Sequence, residues 1–326
     1  MRAVVISELT GPSGISVADV PEPALTHELS DRLVVIDVKA AGVSFPELLQ
    51  TWGKYQHAPE LPFTPGLEVS GIVRTAPEGS RLSPGDHVMA MTNVGGLAEV
   101  AVAPEFMTFA LPENVTFAEG AATILNLHTA YFALHLRARV NAGETVVVHG
   151  AAGGLGTALC SIAAIAGARV VAVVSSPAKA EVARAAGAND TVLSDGDWRA
   201  EIRSLVPAGV NIVCDPVGGS RLIDSLRVLA PLGRYVVLGY TEGEVSQVKT
   251  NRLLLNNLDV VGAGWGAFVR HDPVAFRKIG DEVIRLMNDH QLRPVVGHQL
   301  GLDEAAAAFA LLADRKAMGK IVVEMR

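Results

Sequence analysis

Residues 145–176 read TVVVHGAAGGLGTALCSIAAIAGARVVAVVSS, and this stretch decides the fold. It begins with an apolar run, Val146–Val148, of the kind that forms a strand buried on both faces of a parallel sheet. A glycine-rich turn leads into a helical pattern that ends at Gly167. A second apolar run, Val170–Val174, completes a βαβ unit whose crossover is expected to be right-handed.

The turn of this βαβ unit has the order G-x-x-G-x-x-G, a variant of the dinucleotide-binding fingerprint. Glycines there permit a tight turn, a close approach of the backbone to a pyrophosphate, and close packing of helix on strand. The N–H groups and dipole of the first helical turn would hold the phosphate charge. We therefore predict a Rossmann core, with these cofactor-binding residues: Gly150, Gly153, Gly154, Leu155 and Gly156.

Two other interpretations of this stretch exist. A glycine-rich turn without a ligand explains the glycines alone, but the βαβ context favours a cofactor. Residues 145–168 carry no formal charge and are long enough to span a membrane. The glycine cluster within the run, and the helical face that starts only after it, favour the Rossmann interpretation.

Length, composition and cysteine usage fit a soluble, cytoplasmic protein. The 326 residues suit two domains. The net charge of -7 and the absence of a basic cluster in the sequence argue against binding to nucleic acid or to an anionic membrane. No signal-peptide pattern precedes the first strand-like run. Cys160 and Cys214 are typical of buried small hydrophobes rather than of a disulfide.

The pattern changes along the chain and indicates an α/β protein of two domains. Short strand candidates separated by Pro- and Gly-containing turns are typical of a compact β-barrel-like domain over residues 1–122. From residue 123, strands and helices alternate, and six strands fit the order 3-2-1-4-5-6. Because that sheet is then complete, the last strand, Lys320–Glu324, is expected to rejoin the first domain. We predict one domain from residues 1–122 and 267–326 and another from residues 123–266.

The end of the second Rossmann strand bears on the choice of cofactor. An NAD-type site places Asp or Glu there to bind the ribose hydroxyls, and this chain has none. Ser175, Ser176 and Lys179 instead offer two hydroxyls and an ammonium to a 2′-phosphate. We predict NADPH rather than NADH. A capping serine followed by a solvated lysine explains the same residues and is compatible with that prediction.

The order of β-barrel, Rossmann unit and C-terminal return resembles the medium-chain dehydrogenase/reductase superfamily over essentially the whole chain. More closely, the chain resembles its zinc-free NADPH:quinone oxidoreductase branch, which includes the zeta-crystallin-like proteins. The resemblance rests on KAAGVSFPELLQTWGKYQ (39–56), PFTPGLEVSGIV (62–73), HGAAGGLGTA (149–158), DPVGG (215–219) and NRLLLNNLDVVGAGWG (251–266). It implies a GroES-like β-barrel catalytic domain joined to a Rossmann doubly wound parallel sheet that binds NADPH.

Alcohol dehydrogenases of that superfamily bind a catalytic zinc through a Cys after the first strand and a His in a G-H-E motif. The matching positions here are Ser44 and Leu67, and Glu68 follows. Zinc needs three protein ligands of the N, S or O type, and Leu supplies none. We predict no metal site and take Glu68 for a scaffold carboxylate.

Three glycine-containing turns are expected at the carboxyl ends of the Rossmann strands, where a nicotinamide would lie in the cleft between domains. The resemblance implies that these turns contact the nicotinamide half, and ordinary turn chemistry explains them equally well. The residues predicted to bind the cofactor there are Pro216, Val217, Gly239, Tyr240, Thr241, Gly264, Trp265 and Gly266.

The resemblance also places Ser44 and Phe45 against the nicotinamide and Tyr55 near the substrate. Hydride transfer mostly requires positioning in a dry pocket, but a conjugated carbonyl reduced at carbon also needs a polarising group. Without zinc, the candidates are Tyr55, Ser44, His57 or backbone N–H groups. We predict Tyr55 and Ser44 as catalytic residues, Tyr55 first.

Four further residues are candidates for the site, and three of them also have a second interpretation. Thr129 matches a family position near the cofactor, and Tyr131 and Trp265 are wall residues of the site or, more commonly for buried aromatics, part of the core. Lys320 could reach the cofactor from the last strand, but a surface lysine is the simpler expectation.

The sequence therefore predicts an NADPH-dependent, zinc-independent reductase of quinones or related α,β-unsaturated carbonyls. An enoyl-thioester reductase (enoyl-CoA or enoyl-ACP) is the nearest alternative, although no basic patch for coenzyme A stands near Lys54. An NADPH-binding structural or sensor protein with little turnover is the alternative from another class. Residues 258–263 form an apolar sheet edge, and the resemblance implies a homodimer through it.

Overall fold

The structure, a computed structural model, describes residues 1–56 and 59–325. The chain divides into two compact units, Met1–Asn126 with Val269–Arg326 and Leu127–Phe268. That the first unit binds the substrate and the second unit binds the cofactor stays a prediction.

The strands follow the chain in numerical order. They are β1 (Arg2–Ile6), β2 (Ile15–Asp19), β3 (Leu33–Val43), β4 (Glu68–Thr75), β5 (His87–Met91), β6 (Val100–Pro104), β7 (Thr108–Ala110), β8 (Thr145–His149), β9 (Arg169–Val174), β10 (Asp190–Leu193), β11 (Val210–Asp215), β12 (Leu229–Val237), β13 (Asp259–Gly262), β14 (Val296–Gly301) and β15 (Lys320–Glu324).

The α-helices are α1 (Phe45–Thr51), α2 (Phe117–Gly120), α3 (Thr129–Tyr131), α4 (Gly154–Ile165), α5 (Pro177–Ala185), α6 (Trp198–Leu205), α7 (Arg221–Val228), α8 (Asn251–Asn256), α9 (Trp265–His271), α10 (Pro273–Asp289) and α11 (Ala305–Ala313). Residues Ile124–His128 and Phe132–Arg137 are π-helical. Within the described residues, no helix is both long enough and apolar enough to cross a membrane.

The first unit is built on a sheet in which the last strand lies beside the first long one. Its order is β14-β15-β3-β4-β5-β7, with β6 also paired to β3. Strand β15 runs antiparallel to β3, with Val322 opposite Gly42, and the core around it includes Val69, Ile321 and Phe309. The prediction that the last strand rejoins the first domain is confirmed.

The second unit is a six-stranded parallel sheet in the order β10-β9-β8-β11-β12-β13. In chain order this is the predicted 3-2-1-4-5-6 arrangement. Strand β8 is buried along its whole length, and α4 follows the glycine turn after it. Gly167, with a φ of 78°, lies just beyond the end of α4. The predicted fold class, a GroES-like domain with a Rossmann doubly wound sheet, is confirmed.

The helical region before the Rossmann turn differs from the prediction. The sequence predicts α-helices at residues 116–124 and 127–139, but α2 is a single turn and π-helical segments follow it. Part of the reason is a long-range contact: the Leu125 N–H donates to the Glu68 carboxylate at 2.9 Å, and Glu68 lies 57 residues earlier in the chain. The Thr123 hydroxyl also bonds the Glu119 carbonyl oxygen at 2.8 Å.

Residues 258–263 are predicted to form an edge of the Rossmann sheet, and they include the edge strand β13. Strand β13 is the outermost strand of the sheet and pairs only with β12 in the part of the chain that the structure describes. Val260 on this strand is 39% exposed. The homodimer predicted through this edge stays a prediction.

Candidate functional site

The glycine turn after β8 is closely packed on one side and open on the other. Gly150 has a φ of 60°, a conformation that favours glycine. A Cβ on Gly156 would lie 2.2 Å from the Gly150 carbonyl oxygen and 2.6 Å from the Ala151 Cα, whereas a Cβ on Gly153 would meet only that same oxygen, at 3.6 Å. The missing side chain at residue 156 therefore allows α4 to begin against the end of β8.

This arrangement fits the pyrophosphate of a dinucleotide. Gly153 is the N-cap of α4, and the Thr157 N–H makes the first helical bond, to the Gly153 carbonyl oxygen at 2.9 Å. The N–H groups of Gly154, Leu155 and Gly156 precede that bond, so the helix offers them no acceptor. They are the donors that a phosphate group would use.

The end of β9 brings the predicted hydroxyls and ammonium together. Ser176 caps α5, its hydroxyl accepting from the Lys179 N–H at 3.3 Å. The Lys179 ammonium donates to the Ser175 hydroxyl at 3.1 Å. The nearest carboxylate along the chain, that of Glu181, pairs with Arg184. The capping interpretation of Ser176 is thus confirmed, and the structure brings the Ser175 hydroxyl and the Lys179 ammonium together.

A buried carboxylate that the sequence analysis missed shapes the turn after β11. Asp215 is fully buried and accepts from the N–H groups of Val217 at 2.7 Å and Gly218 at 3.0 Å. Its other oxygen accepts from the Tyr235 hydroxyl, and burial, together with Asp215, raises the pKa of Tyr235. The Asp-Pro-Val-Gly sequence is itself an Asx-turn signal, which would have predicted this role.

The loop after β12 packs on that turn. The Thr241 N–H donates to the Pro216 carbonyl oxygen at 3.1 Å, and the Glu242 N–H to that of Val217 at 3.0 Å. Tyr240 is 40% exposed. A Cβ on Gly150 would lie 3.3 Å from Val217, so the glycine turn adjoins the same cluster. The structure thus brings together these residues predicted from the sequence: Gly150, Pro216, Val217, Gly239, Tyr240 and Thr241.

The prediction of a turn at residues 264–266 is wrong. Helix α9 begins at Trp265, whose side chain is 3% exposed. Its ring lies 5.4 Å from that of Phe132 and 6.1 Å from that of Phe268. This aromatic cluster makes Trp265 a core residue, the more common of its two interpretations. Contacts of Gly264 or Gly266 with a cofactor stay predictions.

Two predicted residues lie in the helical segment of the second unit. Thr129 begins α3 and is 9% exposed. Tyr131 is half-buried, and its ring lies 4.4 Å from that of His135. The structure places both on one short helix, and their contact with a cofactor stays a prediction.

In the first unit, Ser44 is the N-cap of α1 and sits beside a buried acid that the sequence analysis did not single out. Glu47 is fully buried and accepts from the N–H groups of Ser44 and Leu67, both at 3.1 Å. Burial raises the pKa of Glu47 to about 7, although Lys320 and the Leu67 N–H both act to lower it. A carboxyl group that titrates near neutral pH therefore stands next to the predicted catalytic serine.

The prediction of a surface position for Lys320 is wrong. Its ammonium is 2.5 Å from a Glu68 carboxylate oxygen, and the two side chains are 2% and 0% exposed. The ammonium also donates to the Ser44 hydroxyl. Lys320 is buried because β15 lies inside the sheet and Gly42 on β3 leaves space: a Cβ there would lie 2.7 Å from the Lys320 Cε.

The remaining predicted residues of the first unit are Phe45, Tyr55 and His57. Phe45 and Tyr55 are half-buried. Burial raises the pKa of Tyr55, and Glu47 raises it further, so the phenol keeps its proton at neutral pH. His57 lies outside the described residues.

The position that matches the zinc-binding histidine of alcohol dehydrogenases is apolar and buried. Leu67 is 6% exposed, and its N–H is bonded to Glu47. Across residues 1–56 and 59–325, no group of three or more His, Cys, Asp or Glu side chains is suited to hold a metal ion.

Comparison with known proteins agrees with this geometry. Residues 30–113 match the family described as "Alcohol dehydrogenase GroES-like domain", and residues 154–281 match "Zinc-binding dehydrogenase". Quinone oxidoreductase-like protein 2 of Bos taurus is 34% identical, over 100% of this chain and 93% of that protein. The chain belongs to the quinone oxidoreductase branch of the medium-chain dehydrogenase/reductase superfamily. The resemblance stated from the sequence is confirmed.

Solved structures of oxidoreductases resemble this one along its whole length. A probable oxidoreductase from Mycobacterium abscessus has a TM-score of 0.90 and 40% identity, covering 100% of this chain and 99% of that one. The quinone oxidoreductase from Thermus thermophilus, solved alone and in complex with NADPH, has a TM-score of 0.82 and 34% identity and covers 100% of both chains.

Proposed function

We propose that this oxidoreductase transfers hydride from NADPH to quinones or related α,β-unsaturated carbonyls, without zinc. The observation that carries the proposal is the presence of two groups of hydrogen-bond donors in the second unit. One is the set of first-turn N–H groups of α4, and the other is the Ser175–Lys179 pair at the end of β9. Their order along the βαβ unit suits a pyrophosphate followed by a 2′-phosphate.

The structure supports NADPH over NADH through charge. The Lys179 ammonium and the Ser175 hydroxyl, 3.1 Å apart, are both donors for a phosphate dianion. A carboxylate at this point would instead bond the ribose hydroxyls and repel the phosphate. The Thermus thermophilus enzyme, solved in complex with NADPH, supports the same assignment.

Residues of the first unit would polarise the carbonyl group of the acceptor by donating hydrogen bonds to its oxygen. Bound NADPH would supply the hydride from its nicotinamide ring. Tyr55 keeps its phenol proton because burial raises its pKa, so it can donate to a carbonyl oxygen on which charge develops. Ser44 is the second donor, and Phe45 and Thr129 are proposed contacts of the cofactor.

Electrostatics support a mechanism without zinc. The ammonium of Lys320 bonds to the Ser44 hydroxyl, at the position where the related alcohol dehydrogenases carry a zinc ligand. A divalent cation there would face this buried positive charge at short range, which is unfavourable. The neighbouring Leu67 side chain has no ligand atom.

The activity test uses purified protein treated with EDTA, NADPH or NADH, and three acceptors: a small quinone, a simple enone and crotonyl-CoA. We expect NADPH oxidation with the quinone or the enone, undiminished by EDTA. Turnover with crotonyl-CoA alone would indicate an enoyl-thioester reductase instead. Tight NADPH binding without turnover on any acceptor would indicate a binding protein. Activity lost with EDTA and restored by zinc would contradict the zinc-free mechanism.

Lys179→Ala tests the proposed phosphate contact. A charge-assisted hydrogen bond at a partly exposed site is worth about 1.5 kcal/mol, so we expect kcat/KM for NADPH to fall about 10-fold. The value for NADH should not change, because NADH lacks the 2′-phosphate. Steady-state kinetics with both cofactors measure the ratio. Lys278→Ala, at an exposed lysine of α10, is the matched control, and an equal loss with both cofactors would refute the contact.

A further inference from the structure

Three polar side chains of the first unit form a continuous row. The Glu68 carboxylate is 2.5 Å from the Lys320 ammonium, and that ammonium donates to the Ser44 hydroxyl. Exposure increases along the row, from 0% at Glu68 through 2% at Lys320 to 8% at Ser44. The two charges are thus enclosed, and the hydroxyl is the most accessible end of the row.

The backbone is built to accommodate this row. Gly42 lies in the middle of the sheet, opposite Val322 of β15. A Cβ on Gly42 would lie 2.4 Å from the Ala121 carbonyl oxygen, 2.7 Å from the Lys320 Cε and 2.8 Å from a Glu68 carboxylate oxygen. A glycine inside a strand often marks a close approach of other groups. Here it leaves room for the ion pair, which is therefore a fixed part of the sheet.

The ammonium determines how the hydroxyl is oriented. A serine hydroxyl has one proton to donate and two lone pairs, whereas an ammonium can only donate. Because the Lys320 ammonium donates to a lone pair of the Ser44 oxygen, the Ser44 proton points away from the ammonium and is left to donate to an acceptor elsewhere. The positive charge of Lys320 also stabilises negative charge on the Ser44 oxygen. The Ser44 hydroxyl is therefore a stronger hydrogen-bond donor.

We infer that Lys320 is a positioning residue, which orients the Ser44 hydroxyl as a hydrogen-bond donor to the carbonyl oxygen of the acceptor and is itself held by Glu68. This inference rests on the proposed function. When an enone is reduced, the hydride and its electron pair add to the β-carbon, and negative charge appears on the carbonyl oxygen. A preorganised donor at that oxygen stabilises the charge, and a proton from solvent completes the product.

The test is a double-mutant cycle on Ser44→Ala and Lys320→Met, with kcat measured on a simple enone. Removing one such donor costs about 100-fold in kcat, so we expect that loss for Ser44→Ala and a loss of about 10-fold or more for Lys320→Met. The double variant should be no slower than Ser44→Ala, because Lys320 acts through Ser44. The loss of kcat in Lys320→Met should exceed any change in its Kd for NADPH, because the role inferred for Lys320 is exerted at the acceptor oxygen.

Two further variants separate positioning from folding. Lys320→Met leaves Glu68 as an unpaired buried charge, whereas Lys320→Met with Glu68→Gln removes both charges and keeps the volume. The neutral pair should show the same loss of kcat with a thermal unfolding midpoint near that of the wild type. Lys39→Met, at an exposed lysine of β3, should leave kcat unchanged.

The outcomes distinguish this inference from the proposed function. If the wild type binds NADPH but reduces neither enone nor quinone, the proposed function fails, and the inference fails with it. If the wild type is active but the losses from Ser44→Ala and Lys320→Met multiply, the inference alone is overturned. Full activity of the neutral pair would overturn it as well.

Discussion

Gly156→Ala is expected to lower the free energy of unfolding by about 3 kcal/mol and to weaken NADPH binding at least 100-fold. The new Cβ would lie 2.2 Å from the Gly150 carbonyl oxygen and 2.6 Å from the Ala151 Cα. Overpacking costs typically about 1–3 kcal/mol, and the upper end applies here because the opposing atoms are backbone and cannot turn away. Displacement of α4 would also move the N–H groups proposed to bind the phosphate.

Gly153→Ala is the matched control within the same turn. Its Cβ would meet only the Gly150 carbonyl oxygen, at 3.6 Å, which is an ordinary contact. Its stability should therefore stay within about 0.5 kcal/mol of the wild type. Urea denaturation measures both variants, and cofactor titration measures the affinity of Gly156→Ala. Equal stability of the two variants would contradict the close packing described at residue 156.

Replacing Glu47 by Gln should change the pH dependence of stability. Burial raises the pKa of Glu47 from 4.5 to about 7 in the folded protein. The stability that the protonated carboxyl provides is therefore fully present below pH 4.5, and it is lost as the pH rises to 7. One pKa unit corresponds to about 1.4 kcal/mol, so the wild type should lose about 3 kcal/mol relative to Glu47→Gln over this range.

Urea denaturation of the wild type and Glu47→Gln from pH 4 to pH 8.5 measures this difference. Gln cannot ionise but keeps one acceptor for the N–H groups of Ser44 and Leu67, and Lys320 and Glu68 are present in both proteins. These neighbouring residues therefore contribute equally to both measurements. A difference that stays constant with pH, or that favours the wild type as the pH rises, would show that the pKa of Glu47 is not raised.

The second unit was predictable because its signals are local. Apolar runs, a glycine turn and a helix stop at Gly167 lie within one stretch of sequence, and their alternation determines the order of the parallel strands. The grouping of two hydroxyls and an ammonium within residues 175–179 was also predictable, since these residues directly follow the end of β9. The π-helical segments were not, because the Glu68 carboxylate that bonds the Leu125 N–H is 57 residues away in sequence.

The charge row of the first unit could not be predicted, for a similar reason. A surface position is the simpler expectation for Lys320 because lysine side chains are mostly exposed. Its burial depends on Glu68 and on the space beside Gly42, and no local pattern joins these three positions. Trp265 shows the opposite case: the glycines on either side indicated a turn, but burial of the indole ring among other aromatic rings decided the local structure.

The pairing of β15 with β3 has a consequence for biosynthesis. Leu127–Phe268 leaves the ribosome as one continuous stretch and can fold before β15 has been translated. The sheet of the first unit is complete only after β15 has been translated, because β15 lies between β14 and β3. Strand β15, which is translated after the second unit, therefore completes a sheet that earlier strands begin and brings Lys320 to Glu68. A nascent chain stalled before residue 320 would have a complete Rossmann sheet and an acid still lacking its cation.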